Sequence, residues 1–161
     1  IYTAGYTLSL HDALPIYFKN EIKTLRTSKR TLNKTLYTNN KPEQIFVSEP
    51  IWQDELAVFT SSITGKRMLA NSFDSDSLIN GNKKVVNYTA KDQNVELKKL
   101  TVYLTNEVID SIIMLTSVQN MYYEAYDTFS YFGNGNYRIS TWNEPAIGKN
   151  IRFVLSGTTD Q

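Results

Sequence analysis

The sequence predicts a mainly β domain (α+β): a curved antiparallel β-meander, either an open half-barrel or a small closed barrel, with two N-terminal helices packed on one face. Its 11 tyrosines and 7 phenylalanines belong to the residue types that favour pleated strands. Turn signals such as Asn80-Gly81 recur about every 10 to 12 residues after residue 65. Period-two alternation, as in Leu100, Val102 and Leu104, is typical of a half-buried strand. We favour the open form because the two helices need an apolar sheet surface to cover.

The two helices are predicted from apolar residues at helical spacing. Over residues 17–27, Phe18, Ile22 and Leu25 are four and three residues apart and therefore share one face. A second helix follows Ser48, which can cap its first turn. Its apolar stripe consists of Ile51 or Trp52, Leu56, Phe59 and Ile63. Both stripes are expected to pack against the sheet.

Strands account for the remainder of the chain. Runs at residues 32–38 and 43–47 flank Asn39-Asn40-Lys41-Pro42, and these turn residues predict a hairpin because asparagine tolerates left-handed backbone and proline cannot continue a ladder. Seven further strands are predicted near residues 67–76, 83–91, 95–105, 108–118, 120–132, 136–143 and 149–156.

The strand predicted at residues 120–132 has two chemically different faces. One face is apolar except for Asp127 and contains Met121, Tyr123, Ala125, Phe129 and Tyr131. The other face contains Tyr122, Glu124, Tyr126, Thr128 and Ser130. An inward carboxylate needs a partner, so we expect Asp127 to be buried and bonded to Arg138 or to the backbone.

Residues 1–16 read as a segment foreign to the domain. Residues 8–16, LSLHDALPI, resemble a translated sequencing adapter of the kind found in open reading frames from metagenomes. The segment has no basic region and cleavage site typical of a signal peptide, and it is too short to span a bilayer, which takes about 20 apolar residues. We expect a non-native leader over residues 1–16 and one β-rich domain over residues 17–161. A genuine N-terminal strand is the alternative.

The residue types present limit the chemistry. Cysteine is absent, and the one histidine, His11, lies in the foreign segment. Without them the domain cannot form a Ser-His-Asp triad, a thiol nucleophile or a standard zinc site. We therefore predict no catalytic residue, no metal site and no cofactor. The 17 basic and 16 acidic residues nearly balance, so nucleic acid is not an expected partner.

Two acidic patterns suggest specific chemistry. The run Asp74-Ser75-Asp76 resembles the start of a calcium loop, but the residues after it do not continue the ligand spacing that such a loop requires. Asp110, Glu124, Asp127 and Glu144 could meet across strands, as the paired carboxylates of a glycoside hydrolase must. Because nothing in the sequence selects a pair, a carboxylate-based hydrolase is kept as the alternative function.

Aromatic residues are the best lead to a ligand site. Tyrosine and tryptophan offer large contact areas that combine an apolar ring with a polar group. We expect ligand contacts from Trp52, Tyr123, Asp127 and Tyr131, with a small apolar molecule, a glycan or a protein as the partner. Cross-strand packing within the sheet is the alternative role for these rings.

Three motifs carry a resemblance to a known family. The first is Tyr17-Phe18, Glu21-Ile22 and Leu25, and the second runs from Trp52 through Glu55-Leu56 to Phe59. The third comprises Asn120, Met121, Tyr123, Phe129, Ser130 and Tyr131, followed by Tyr137, Arg138 and Ile139. In these motifs the chain resembles a family of uncharacterised lipoproteins from the Bacteroidota.

This resemblance implies a protein of the cell envelope, periplasmic or at the cell surface. Its membrane contact would be a lipid on an N-terminal cysteine that the foreign segment has replaced. The resemblance supplies no catalytic residues. We therefore expect a non-enzymatic envelope lipoprotein domain that binds an apolar ligand, a glycan or a protein partner on a tyrosine-rich sheet face under the helices. A carboxylate-based hydrolase of envelope or extracellular substrates is the alternative.

Overall fold

The computed structural model describes residues 10–64 and 72–160, which fold into three α-helices and nine strands. The helices are α1 (Leu10–Ser28), α2 (Trp52–Glu55) and α3 (Ala57–Thr64). The strands are β1 (Leu32–Thr38), β2 (Lys41–Val47), β3 (Phe73–Asn80), β4 (Lys83–Ala90), β5 (Leu97–Thr105), β6 (Val108–Gln119), β7 (Tyr123–Tyr131), β8 (Tyr137–Pro145) and β9 (Ile151–Thr159).

All nine strands belong to one antiparallel sheet in the order β2-β1-β9-β8-β7-β6-β5-β4-β3. Strands β3 to β9 follow one another as a meander, and the β1–β2 hairpin joins the sheet beside the last strand, β9. The two edges are β2 and β3, so the sheet is open and not closed into a barrel. The predicted fold class is confirmed, in its open form.

The turns follow the predicted signals closely. In the first hairpin only Asn39 and Asn40 form the turn, with φ values of 47° and 70°, whereas Pro42 lies within β2. Proline is tolerated there because β2 is an edge strand. The strand predicted at residues 67–76 is β3, which is longer at its C-terminal end because its pairing with β4 continues to the Asn80–Lys83 pair. Residues 65–71 lie outside the described part of the chain.

Helix α1 begins before the predicted start at residue 17. Residues 10–16, which sequence analysis left out of the fold, are helical, and the Leu14 side chain is 0% exposed. The reason is local, since Leu14 lies four residues before Phe18 and extends the same apolar face. The origin of residues 1–16 stays a prediction, and residues 1–9 and the side chain of His11 lie outside the described structure.

The second predicted helix is two short helices. Its expected cap, Ser48, is not used: the N-cap of α2 is Ile51, which makes no side-chain capping bond. Pro50 disfavours helical backbone at the preceding residue, so the helix begins only after it. A turn at Leu56 separates α2 from α3. Trp52, Leu56 and Phe59 are all buried, so the predicted apolar stripe is confirmed over these three residues.

The core lies between the helices and one face of the sheet. The rings of Phe18 from α1 and Phe59 from α3 stack with centroids 5.7 Å apart. Both rings contact the Tyr131 ring edge-on, at 5.2 Å and 5.6 Å. Such edge-on pairs add about 0.5–1.5 kcal/mol each to the burial of the rings.

Two glutamates from the helices reach buried tyrosines of the sheet. Tyr131 donates its hydroxyl hydrogen bond to Glu21 Oε1 at 2.6 Å, and Tyr137 donates to Glu55 Oε2 at 2.8 Å. Tyr131 and Tyr137 are directly opposite each other on β7 and β8. Lys34 forms an ion pair with the other Glu55 oxygen at 2.7 Å. Polar bonds as well as apolar packing therefore join both helical segments to the same two strands.

The pairing register assigns every strand residue to one of two faces. Residues directly opposite each other point to the same side of a sheet, and successive residues alternate. The helix-covered face carries Tyr131 and Tyr137. The opposite side, here called the open face, carries Tyr126 and Trp142, which pair with each other across β7 and β8. A ligand can reach the open face without displacing a helix.

The buried position of Leu14 makes a stability prediction. Leu14→Ala should lower the free energy of unfolding by about 2–5 kcal/mol, because it leaves a cavity under α1. Ile16→Ala is the matched control, since Ile16 is 43% exposed on the same helix and its loss should cost about 0.5 kcal/mol. Urea unfolding of both variants measures the difference. Equal, small effects would show that residues 10–16 do not stabilise the domain.

Candidate functional site

The four residues predicted to contact a ligand do not form one site. Trp52 and Tyr131 are buried in the core, whereas Tyr123 is 42% exposed and Asp127 is half-buried. Tyr123 and Tyr131 lie at opposite ends of β7, eight residues or about 27 Å apart. Trp52 packs near Tyr131, because both contact Gly135: Tyr131 accepts its N–H at 3.0 Å, and an added Cβ there would lie 2.9 Å from the indole ring.

Asp127 has a different partner from the one expected. Its carboxylate accepts a hydrogen bond from Thr116 Oγ1 at 3.4 Å, and Thr116 is its cross-strand neighbour on β6. Arg138 cannot serve because it pairs with Ser130 and points to the open face. The expectation of a buried Asp127 bonded to Arg138 or to the backbone was therefore wrong. The carboxylate instead accepts from a hydroxyl of the neighbouring strand on the same face of the sheet.

Burial raises the pKa of three tyrosines in or beside the core. Desolvation raises the pKa of Tyr131 and Tyr137 well above the usual value, and the hydrogen bonds to Glu21 and Glu55 raise it further. Burial also raises the pKa of Tyr17, with a further contribution from the charges of Glu21 and Asp110. The hydroxyl groups of Tyr131 and Tyr137 are therefore protonated donors that bond the sheet to the helices.

Room for the Tyr137–Glu55 contact depends on a glycine. Gly157 lies opposite Tyr137 on β9, and an added Cβ at Gly157 would be 2.5 Å from carbons of the Tyr137 ring. A side chain there would collide with the Tyr137 ring and force it to shift, because real Cβ atoms essentially never make such short contacts. The absence of a side chain at residue 157 thus positions the phenol for the helix.

The open face carries two exposed aromatic rings side by side. Tyr126 is 46% exposed and Trp142 is 37% exposed, and they are directly opposite each other on β7 and β8. The next pair on this face of the same two strands is Glu124 and Glu144. We call these four residues the aromatic platform. It combines apolar ring surface with two carboxylates on a solvent-accessible sheet.

Hydrogen bonds hold both rings of the platform in place. The Tyr126 hydroxyl donates to Glu124 Oε2 at 2.7 Å, and Trp142 Nε1 donates to Glu144 Oε1 at 2.5 Å. Gln119 of β6 donates a further bond to Glu124. The bond to Glu124, with the charges of Glu124 and Glu144, raises the pKa of Tyr126. The phenol therefore remains a donor to Glu124 up to a higher pH than an ordinary tyrosine would.

A small cavity adjoins the platform on the open face. Its volume is about 300 Å³, and it is lined by Tyr37, Asn40, Arg138, Arg152 and Val154, which we call the arginine pocket. Arg152 is the cross-strand neighbour of Trp142, so the pocket begins where the platform ends. The β1–β2 turn forms one wall.

A larger cleft of about 780 Å³ lies between α1 and the α2–α3 segment. Three cations of α1 line it, namely Lys19, Lys23 and Arg26, and Ile22 forms part of its floor. Arg26 donates to Gln53 Oε1 at 2.9 Å, which bridges the two helical segments. Exposed lysines on a helix are usually a solvated face.

The run that resembled a calcium loop lies on edge strand β3. Asp74 forms an ion pair with Lys91 at 3.3 Å, and Asp76 accepts from Asn87 Nδ2 at 2.9 Å. Across residues 10–64 and 72–160, no three acidic or histidine side chains cluster as a metal site would require. In the same ranges, no helix has the length and apolarity needed to cross a membrane.

Sequence reasoning missed the platform and the arginine pocket, although part of the signal was present. Glu124 and Tyr126 were both assigned to the second face of their strand, and Trp142 and Glu144 have the same two-residue spacing. The meeting of the two pairs depends on the β7–β8 register, which the sequence alone did not fix. Glu21 carried a signal as well, as a carboxylate three residues from Phe18 beside an apolar helix face.

No protein-family model matches this chain, and no curated protein matches it either.

The buried tyrosines predict a loss of stability at alkaline pH. Above pH 10 the unfolded chain releases its phenolic protons while the folded chain retains those of Tyr17, Tyr131 and Tyr137. Stability should therefore be constant up to about pH 10 and then fall by about 1.4 kcal/mol per pH unit for each retained proton. Urea unfolding between pH 8 and 11.5 measures this slope.

Tyr131→Phe should make the fall of stability with pH shallower by the contribution of one retained phenolic proton. Tyr122→Phe is the control, because Tyr122 is 72% exposed and its removal should leave the slope unchanged. Identical slopes in the two variants would contradict the role of burial.

Proposed function

We propose that this chain is a non-enzymatic binding module of the cell envelope that binds a glycan on its open face. The observation that carries the proposal is the aromatic platform, with two exposed rings held side by side and a carboxylate bonded to each. The placement in the envelope, with a lipid anchor, rests on the resemblance of the Tyr17–Leu25, Trp52–Phe59 and Asn120–Ile139 motifs to the lipoprotein family.

Sugar rings suit such a surface for two reasons. Their C–H faces can pack on the apolar rings of Tyr126 and Trp142, which remain partly exposed. Their hydroxyl groups need acceptors, and an ionised carboxylate offers about four lone-pair sites. One ring hydrogen bond to Glu124 or Glu144 therefore leaves acceptor capacity on each carboxylate. The rings are also pre-oriented, which lowers the entropic cost of binding.

The open face suits a ligand better than the helix-covered face. On the helix-covered side, Leu14, Phe18 and Phe59 from the helices pack against Phe129 and Tyr131 of the sheet. An apolar ligand would have to displace these side chains, at about 2–5 kcal/mol for each large one. A ligand on the platform displaces only water. This difference favours a polar, ring-shaped ligand over a small apolar molecule.

A carboxylate-based hydrolase is the second candidate, and one observation favours it. Glu124 and Glu144 are cross-strand neighbours, so their Cβ atoms are about 5 Å apart. Paired carboxylates of glycoside hydrolases lie about 5 to 10 Å apart. However, both groups lie on an exposed strand surface and already accept bonds from Tyr126, Trp142 and Gln119. We therefore rank binding above hydrolysis.

Removal of the tryptophan ring tests the binding function. Trp142→Ala should weaken glycan binding at least about tenfold, as loss of a central aromatic contact does at other interfaces. A glycan array followed by isothermal titration of the best ligand provides the measurement. Tyr122→Ala is the matched control, since it removes an exposed ring outside the platform. Unchanged binding in Trp142→Ala, or no glycan bound by the unaltered protein, would refute the proposal.

The hydrolase candidate has its own test. Each bound glycan should be recovered intact after prolonged incubation with the protein, as chromatography of the products can show. If cleavage occurs and Glu124→Gln or Glu144→Gln abolishes it, the protein is a hydrolase and its carboxylates are catalytic.

A further inference from the structure

We propose that the arginine pocket binds the anionic group of an acidic saccharide, so that the ligand of the open face is a glycan carrying carboxylate or sulfate groups. This inference rests on the proposed glycan-binding function and names the class of ligand.

The pocket brings two like charges together. Arg138 lies opposite Ser156 of β9, and Arg152 lies four residues before Ser156 on that strand. Their backbones are therefore about 13 Å apart along the sheet. Both side chains nevertheless line the same cavity of about 300 Å³. Two positive charges that line one cavity favour an anionic ligand there.

No carboxylate of the described residues neutralises this pair. Within residues 10–64 and 72–160, neither guanidinium forms a hydrogen bond or an ion pair with a side chain, and none of the five lining residues is acidic. Glu144 lies two residues beyond Trp142, the cross-strand neighbour of Arg152, and its carboxylate accepts the Trp142 indole N–H. Both arginines are exposed, so their guanidinium donors are open to solvent and accessible to a ligand.

The guanidinium group matches the proposed ligand in geometry. Its planar fork donates two parallel hydrogen bonds to a carboxylate, a sulfate or a phosphate, and such charge-assisted bonds are about twice as strong as neutral ones. A volume of about 300 Å³ is at the lower end of the range for ligand pockets and suits a single sugar unit or its substituent.

The position of the pocket links it to the platform. Trp142 and Arg152 are directly opposite each other on β8 and β9 and share the open face. A sugar ring packed on Trp142 would therefore place its exocyclic group beside the Arg152 guanidinium. Glu124 and Glu144 lie on the other side of the rings and repel anions. The saccharide therefore binds in one orientation, with its acidic group toward the arginines and its hydroxyl groups toward the glutamates.

The pocket wall is held in place before any ligand binds. Asn39 Oδ1 accepts from the Arg152 N–H at 3.1 Å, and the Asn39 N–H donates to the Arg152 carbonyl at 3.0 Å. These two bonds tie the β1–β2 turn to β9, so that Asn40 and Tyr37 remain beside Arg152. The floor is Val154, which is buried.

Matched acidic and neutral glycans test the inference. The panel contains oligogalacturonate paired with its methyl ester, and sulfated galactan oligosaccharides paired with unsulfated ones. Corresponding acidic and neutral pairs of other hexuronic acids and other galactose polymers complete the panel. Every member is titrated calorimetrically. We expect the acidic member of at least one pair to bind at least about tenfold more tightly than its neutral partner. The carboxylate and sulfate arms show which anionic group the pocket takes.

Variants locate the effect. Arg138→Gln and Arg152→Gln should each weaken acidic binding about tenfold and leave neutral binding unchanged, whereas Trp142→Ala should weaken both. Arg26→Gln, which removes the same charge from α1, should change neither. Equal affinity for acidic and neutral partners overturns this inference and leaves the glycan-binding function in place. An equal loss in Arg26→Gln also overturns it, because attraction would then be non-specific. If no glycan of the panel binds, both proposals fail.

Discussion

Two hydrogen bonds between helical glutamates and a cross-strand pair of tyrosines determine how this domain is assembled. Glu21 of α1 accepts from Tyr131, and Glu55 of α2 accepts from Tyr137, its neighbour on the adjacent strand. Hydrogen bonds to a charged acceptor contribute about 1.5–3 kcal/mol each when they are largely removed from water. Because both bonds end on the same pair of strands, the two helical segments meet over the middle of the sheet. The packed rings of Phe18 and Phe59 then enclose the phenols.

The topology explains why the helices lie on one face and leave the other free. Strands β2 and β3 are the two edges of the sheet, and the chain between them, residues 48–72, contains α2 and α3. Nine strands correspond to eight spacings of about 4.8 Å, or about 38 Å across a flat sheet. Helices α2 and α3 pack with α1 over the same face of this sheet. The opposite side keeps the aromatic platform and the arginine pocket exposed, and these provide the contacts of the proposed glycan site.

Local signals predicted most of the fold, whereas long-range contacts determined the site. The alternation of apolar and polar residues in the strands depends on neighbouring residues, and it could be predicted from the sequence. The same holds for turns such as Asn106-Glu107, whose φ values are 51° and 61°. The pairing of β1 with β9 joins segments about 120 residues apart, and no local pattern encodes it. Alternation correctly placed Phe129 and Tyr131 on one face of β7, but which rings the helices enclose and which stay exposed depends on tertiary packing. Arg138 and Arg152 line the same pocket only because of the register between β8 and β9.

A double-mutant cycle between Glu21→Ala and Tyr131→Phe tests the central interaction most directly. Unfolding free energies of the unaltered protein, both single variants and the double variant isolate the energy of the Glu21–Tyr131 contact from the loss of packing. The structure predicts a coupling energy of about 2 kcal/mol, since the bond is short and partly buried. Effects that add to within about 0.5 kcal/mol would show that the contact does not hold α1 on the sheet.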